Sequence, residues 1–293
     1  MKEHPLESVA FKAPFRRFTA SLACFVIIVF AAAGCQQQPS KKAGPPQKIT
    51  IAYPTIILSA LPHIACEKGY FLTEGLEVTP QFHAFGKPAL QSVLEEKADI
   101  ALSTDTPVVF AVTGGKKIYT IAVVGTSSKV MSIVARKGRG ISMPADLKGK
   151  SIGVPLGSAM EFYLDSFLAV RGIDRKDVKI IDMKPGEMLD ALTQGKVDAV
   201  SIRNSTLKQI EGALKDNGVS FYDEHLYSDI ECLSAQQDFV RKHPETIRKV
   251  LKALIRAEAF VEANPGEAKR IVAEFTGLDK SFIEEIWNNK PGA

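Results

Sequence analysis

Residues Lys150 to Gly172 carry the feature that most restricts this chain. Ser151 to Val154 form a short apolar run, and Leu156-Gly157-Ser158-Ala159 form a tight turn. Met160, Leu164, Phe167 and Leu168 then recur at i, i+4, i+7 and i+8, one face of a helix that Gly172 closes. The unit is a strand, a Gly-Ser turn and a helix. The free N–H groups of its first helical turn face the space beyond the strand's carboxyl end. Such a terminus carries about half a positive charge and binds anions through its backbone. Two readings of Ser158 stand at this point: it caps its own helix, or it donates to a bound anion.

The same grammar runs through the chain from Lys48. Lys48 to Tyr53, Leu76 to Gln81, Asp99 to Leu102, Ile118 to Val124 and Met131 to Ala135 read as strands. Between them, Ile64 to Phe71, Lys87 to Glu96 and Pro107 to Val112 read as helices, while Pro54 to Pro62 reads as a loop holding Ser59 and Ala60. Thr104 and Asp105 stand before Pro107, as a helix start requires. Alternation of this kind implies parallel sheets covered by helices. A weak repeat runs through it. Lys87-Pro88, Leu90, Leu94 and Asp99 are echoed by Lys184-Pro185, Met188, Leu192 and Asp198. Each is a helix begun by proline that leads through an Asp into a strand, which suggests two similar lobes.

The first residues read as an address. Lys12, Arg16 and Arg17 precede an apolar run from Leu22 to Ala33, and Ala32-Ala33-Gly34-Cys35 resembles a bacterial lipobox, with Cys35 the lipidated residue. Residues 1–34 are thus expected to be a lipoprotein signal peptide. Residues 35–47, rich in Gln, Lys and Pro, are expected to be a flexible tether. One lipid-modified residue anchors a chain to a bacterial membrane without spanning it, so the expected location is periplasmic or at the cell surface. Lys2, Lys12, Arg16 and Arg17 against Glu3 and Glu7 precede Cys35, which leaves 33 basic and 31 acidic residues of the chain's 37 and 33. That near-neutral balance, with no basic window interleaved with aromatics, gives no argument for nucleic acid. Cys66 and Cys232 have no CxxC spacing and no His in register, so no metal site is expected. A disulfide between them and two packed thiols both remain open.

The order of motifs carries a resemblance. A lipobox precedes a strand and a Ser-Ala loop, followed by Ala65-Cys66-Glu67-Lys68-Gly69-Tyr70-Phe71, Gly75-Leu76-Glu77-Val78 and Ala98-Asp99-Ile100-Ala101. Asp146 to Lys150, Ile152-Gly153-Val154, Gly157-Ser158, Asp198-Ala199 and Lys242-His243-Pro244-Glu245 complete the set. From about Lys48 onward the chain resembles the solute-binding proteins of ABC importers, in the group of nitrate, taurine, alkanesulfonate and thiamine-precursor binders. The resemblance implies an α/β, two-lobed type II periplasmic-binding-protein fold with a ligand cleft between the lobes. Lobe one is expected at residues 48–131 plus 231–293 and lobe two at 132–230, with crossings near Gly125 to Ser132 and near Tyr222 to Ile230. It implies no enzyme activity and no cofactor. The partners it implies are a small anionic or zwitterionic solute and the transmembrane permease subunits, with the chain itself a monomer.

Ligands in α/β sheets bind beyond the carboxyl ends of strands. The turns at such ends are Ser59-Ala60, Thr104-Asp105-Thr106, Gly157-Ser158-Ala159 and Arg203-Asn204. The family often has Trp-Glu-Pro where this chain has Arg203-Asn204-Ser205. Arg203 reads either as a bidentate clamp for a sulfonate, phosphonate or carboxylate or as a solvated strand-end charge. Asp105 reads as an N-cap or as the partner of an ammonium group. Phe162 or Tyr163 could cover an organic tail or simply pack. The mature histidines are His63, His83, His225 and His243, and His63 lies in the expected cleft loop. None stands beside a cysteine or carboxylate motif at a strand end, as an enzyme on this fold would need. Pro244 to Ala263 reads as an amphipathic helix with Ile247, Val250, Leu251, Leu254, Ile255 and Val261 inward, followed by two shorter helices ending near Trp287. Family members typically continue further, so an apolar patch around Ile286 and Trp287 is expected.

Overall fold

The computed structural model describes residues 44–128 and 130–288. The expected signal segment, Cys35 and residues 35–43 of the expected tether lie outside them.

The chain builds two five-stranded sheets in turn. The first begins with β1 (Gln47–Pro54), α1 (Ala60–Glu67), the short α2 (Tyr70–Thr73) and β2 (Leu76–His83), followed by α3 (Gly86–Leu94), β3 (Ile100–Thr104), α4 (Asp105–Thr113) and β4 (Ile118–Ser127). The chain then crosses. The second sheet is made of β5 (Met131–Arg136), β6 (Ser151–Val154), α5 (Ala159–Val170), β7 (Lys179–Asp182), α6 (Met188–Thr193), β8 (Ala199–Arg203), α7 (Leu207–Leu214) and β9 (Gly218–Phe221). A second crossing returns it to β10 (Asp229–Gln236) of the first sheet. The helices α8 (Gln237–Lys242), α9 (Pro244–Ala263), α10 (Pro265–Thr276) and α11 (Lys280–Asn288) follow. Met131 pairs with Arg203 in the second sheet, whereas Asp229 and Ile230 pair with β4 in the first.

The sheets share one topology. Their orders are β2-β1-β3-β10-β4 and β7-β6-β8-β5-β9. In each, the first three strands are parallel, and one antiparallel strand follows from the other side of the crossing. The sequence repeat acquires a physical meaning here. Asp99 Oδ2 accepts the Thr50 N–H of β1 at 2.7 Å, and Asp198 Oδ2 accepts the Ser151 N–H of β6 at 2.9 Å. Both aspartates tie the start of one strand to its parallel neighbour, β3 to β1 and β8 to β6, where the ladder alone would leave an N–H bare. Gly86 opens α3 where a Cβ would stand 2.9 Å from Ser103 Cα, so α3 starts hard against β3.

Both faces of each sheet are covered. Ile49, Ile51, Tyr53 and Leu102 pack under α1, α9 and α10, while Ala52, Ala101 and Cys232 pack under α3 and α4. In the second sheet α5 covers one face through Leu164 and Phe167, and α6 and α7 cover the other through Leu192 and Ile210. Burial on both faces explains why the strands read as near-continuous apolar runs. Cys66 and Cys232 are free thiols, and burial pushes each up to about 11. The amphipathic helix at Pro244–Ala263 has the limits expected of it, but Ile255 points to solvent. Ala253, Ala257 and Phe260 fill the inward stripe instead. Trp287 packs half-buried against the first core.

Candidate functional site

A cavity of about 940 Å³ lies between the two sheets. Its walls come from the segment after β1 (Ile56, Leu58, Ala60), the segment after β2 (Ala84, Phe85), the end of β4 (Gly125, Thr126) and the tip of β8 (Ile202, Arg203). Met160 at the start of α5 and Met188 at the start of α6 close the second-sheet side. Phe282, Glu285 and Trp287 of α11 reach it from the C-terminal end. The lining is mostly aliphatic and aromatic, with hydroxyls and a few charges, the usual make-up of a pocket for an organic molecule.

Beneath this cavity lies a charged cluster that joins the two sheets through β10. Arg203 Nη1 stands 2.6 Å from Asp229 Oδ2, and Asp229 is wholly buried. Ser59 Oγ donates to Glu231 Oε1 at 2.6 Å, and both residues are wholly buried. Tyr227 donates to Asp105 Oδ1 at 2.5 Å and approaches Asp229 Oδ1 at 3.2 Å. Thr106 takes up Asp105 Oδ1 through its own N–H at 2.8 Å. Asp229 and Glu231 thus face the Arg203 guanidinium, and Asp105 is joined to Asp229 through Tyr227. Burial disfavours the charge of Arg203, and Asp229 and Glu231 outweigh that effect. Glu231 is pushed up to about 7, first by burial and then by Asp229 and Asp105, against the pull of Ser59 and Arg203. Among the described residues no group of three His, Cys, Asp or Glu side chains is placed to hold a metal ion.

The expected site residues fall into three groups. Ala60 and Arg203 line the cavity, and Ser59, Thr104, Asp105 and Thr106 join them through the cluster, Thr104 by pairing with Glu231. Arg203 is not a solvated strand-end charge; Asp229 holds it in place. Gly157, Ser158 and Ala159 form the turn into α5, just before the cavity-lining Met160, and their polar groups are used within that turn. Ser158 Oγ turns inward to Pro155 O at 2.6 Å, and it makes no side-chain cap. The Gly157 N–H is taken by Glu161 Oε2 at 2.6 Å, so an acid of the helix's own first turn occupies the position an external anion would use. Gly157 also has φ +70°, and a Cβ there would lie 3.0 Å from Lys87 Nζ, which donates across the lobes to Leu156 O at 2.7 Å. The third group is Asn204, which opens a short turn after β8. Tyr163 is buried and its hydroxyl accepts the Asp223 N–H, whereas Phe162 stays half-exposed with its ring 5.4 Å from that of Tyr227.

Asp229, Glu231 and Tyr227 were missed by sequence reasoning. Their signal was present but weak: two acids at i and i+2 on an otherwise apolar strand, which puts both on one face. His63 leans on Phe275 with ring centroids 4.3 Å apart, and burial lowers its pKa despite nearby Glu67. It sits in a packed helix, not in the cluster.

The comparisons with known proteins agree on the architecture. The pattern of the family described as NMT1/THI5 like matches residues 60–268. A "Putative binding protein" of Brucella abortus is 28% identical over 235 residues, covering 78% of this chain and 71% of that one. The formylaminopyrimidine-binding protein of Halalkalibacterium halodurans is 24% identical over 243 residues, 80% of this chain and 72% of its own. Among solved structures, the alkanesulfonate-binding protein SsuA from Xanthomonas axonopodis pv. citri bound to MOPS superposes with a TM-score of 0.70 at 20% identity, covering 85% of this chain and 86% of that one.

Proposed function

Because the chain belongs to the NMT1/THI5 like family, we propose that it is the extracytoplasmic solute-binding component of an ABC importer. It captures a small organic solute between two lobes, roughly residues 48–131 plus 231–293 and residues 132–230, and delivers it to the permease. Cys35 carries the lipid that ties it to the membrane. No chemistry is done on the solute.

The observation that supports this reading is the apolar cavity between two sheets of like topology, lined by the segment after β1, the end of β4 and the tip of β8. Its volume suits a sulfonate with an organic tail, a zwitterion such as taurine or a substituted pyrimidine better than bare nitrate. Crossings after Ser127 and after Phe221 would let the lobes hinge around it.

A thermal-shift screen of alkanesulfonates, taurine, nitrate, phosphonates and pyrimidines against the purified protein tests the reading. A solute at roughly 100-fold excess over Kd adds about 2.7 kcal/mol, or several degrees in Tm. Met160→Trp, which fills the cavity, removes the shift. A Tm that no solute of the panel moves at millimolar concentration would sink the reading.

A further inference from the structure

The end of the first sheet away from the cavity carries a surface that solute capture does not use. β10 is antiparallel to both its neighbours, so β1, β3 and β4 all start at that end and point their carboxyl ends at the cavity. α4 runs back to the same end. On this nine-residue helix Val109, Phe110 and Val112 are 57%, 54% and 50% exposed, more than scattered surface apolarity explains. Lys116 and Lys117 follow in an exposed stretch, and among the described residues neither is paired with a carboxylate. α8 adds a third cation. The Gln237 N–H donates to Lys117 O at 3.0 Å, and Arg241 Nη2 donates to the Tyr119 hydroxyl at 3.0 Å with its guanidinium 5.8 Å from that ring. Asp238, an acid of the same helix, lies 3.9 Å from Lys242.

Two observations say what covers this surface. The first is its chemistry. Apolar side chains beside unpaired cations and an aromatic ring suit an anionic lipid surface, where the apolar groups enter the headgroup boundary and the cationic heads stay among the phosphates. The second is the place where the chain from Cys35 arrives. Ala52 pairs with Ala101, Ala101 with Ser234, and Ser234 with Thr120. Gln47, five positions before Ala52, is therefore level with Gly115, five before Thr120. The two lie three strand spacings apart, about 14 Å. The stretch from Cys35 to Gln47 reaches roughly 40 Å at full extension. A lipid on Cys35 thus holds the protein by the end that carries Lys116 and Lys117.

Resting on the reading of Cys35 as a lipid anchor, we propose that this end of the first sheet is a second membrane contact, which docks on an anionic phospholipid surface. Val109, Phe110 and Val112 enter the headgroup boundary, and Lys116, Lys117 and Arg241 meet lipid phosphates. The contact sets an orientation. The cavity, at the other end of the strands, lies on the side of the sheet away from the bilayer, a posture for capture. Delivery needs release from that posture, which a contact made by a few exposed cations permits.

Tryptophan quenching in vesicles tests this, with the protein extracted from producing cells with its lipid and reconstituted. A tryptophan is added to the native Trp287 at one of two exposed positions, as Phe110→Trp on the surface or as Ile255→Trp on α9. The vesicles are brominated phosphatidylcholine, alone or mixed equally with phosphatidylglycerol. In the anionic vesicles the Phe110→Trp protein should be quenched at least about twofold more than the Ile255→Trp protein. Each lysine near such a surface is worth roughly fivefold in partition. Adding Lys116→Glu and Lys117→Glu, or raising the salt, should therefore bring the quenching down to the Ile255→Trp level. Equal quenching at the two positions, in protein that floats with the vesicles, overturns the proposal and leaves the anchor reading intact. Quenching that neither charge reversal nor salt alters also overturns it. A blue shift of Phe110→Trp that grows with protein concentration and needs no vesicles assigns the face to a second copy and overturns it too. Protein that floats with no vesicle overturns the proposal and the anchor together.

Discussion

The two lobes were built from one plan and used differently. Asp99 and Asp198 do the same work in the two sheets, each tying a strand to an N–H of its parallel neighbour, β3 to β1 and β8 to β6. The serines that follow β1 and β6 do not. Ser59 reaches out to Glu231 at the crossing, whereas Ser158 bonds back to Pro155 within its own turn. The ends of β3 and β8 differ as well: Thr104-Asp105 brings an acid to the cluster and Arg203 brings its base. The backbone devices that hold a sheet together are thus shared between the lobes. The buried charged cluster is built from unlike residues at equivalent strand ends.

The largest expected effect comes from separating the charges where the lobes meet. Arg203→Ala leaves Asp229 buried and unpaired, and should cost about 3–5 kcal/mol in urea denaturation. The double variant Arg203→Met with Asp229→Leu should recover much of that loss. If the single change is silent, the lobes are not joined here.

A second effect, about 3 kcal/mol at most, depends on pH. Glu231 is pushed up to about 7 from an ordinary 4.5, so the folded protein holds its proton more tightly than the unfolded chain does. Its contribution to stability is full below about 4.5 and is lost as pH rises to about 7. The groups around it are Ser59, Arg203, Asp229 and Asp105. Melts of the purified protein between pH 5 and 8 should show this fall, and Glu231→Gln should flatten it. An unchanged slope in Glu231→Gln would assign the titration to another group.

Asp99→Ala and Asp198→Ala test the shared device. Each strips a strand N–H of its partner and should cost about 1–3 kcal/mol, the two within about 1 kcal/mol of each other. A large cost at one and none at the other would break the equivalence of the lobes. Asp198 also pairs with Arg139 at 3.4 Å, an ion pair near the surface that adds little.

The smallest effect sharpens the contrast between the serines. Ser158→Ala should cost about 1 kcal/mol and leave solute affinity within twofold. Ser59→Ala should weaken affinity several-fold, since it frees both oxygens of Glu231. A several-fold loss of affinity in Ser158→Ala would restore the Gly157 turn as an anion site.

Much of this molecule was legible along the chain. The i, i+4, i+7 pattern of Met160 to Leu168 made a helix, Pro244 opened a long one, and the paired Lys-Pro and Asp motifs marked a repeated unit. These signals work because helix periodicity, capping and turn chemistry act over a few residues, so the sequence contains cause and effect in one window. Ile255 shows where even that reach ends. It stands on the inward stripe by spacing, yet the core is filled by Ala253, Ala257 and Phe260, and Ile255 is left outside. The charges of the site lay beyond any window. Ser59 and Glu231 are 172 positions apart, and Arg203 looks like a free strand-end cation until Asp229 arrives on the returning strand. The chain by itself determined which segments are strands and helices and where turns could place functional groups. Only the tertiary structure decided which charges meet, because the energy of a buried charge depends on the dielectric and partners around it, and both are set by the second crossing of the chain.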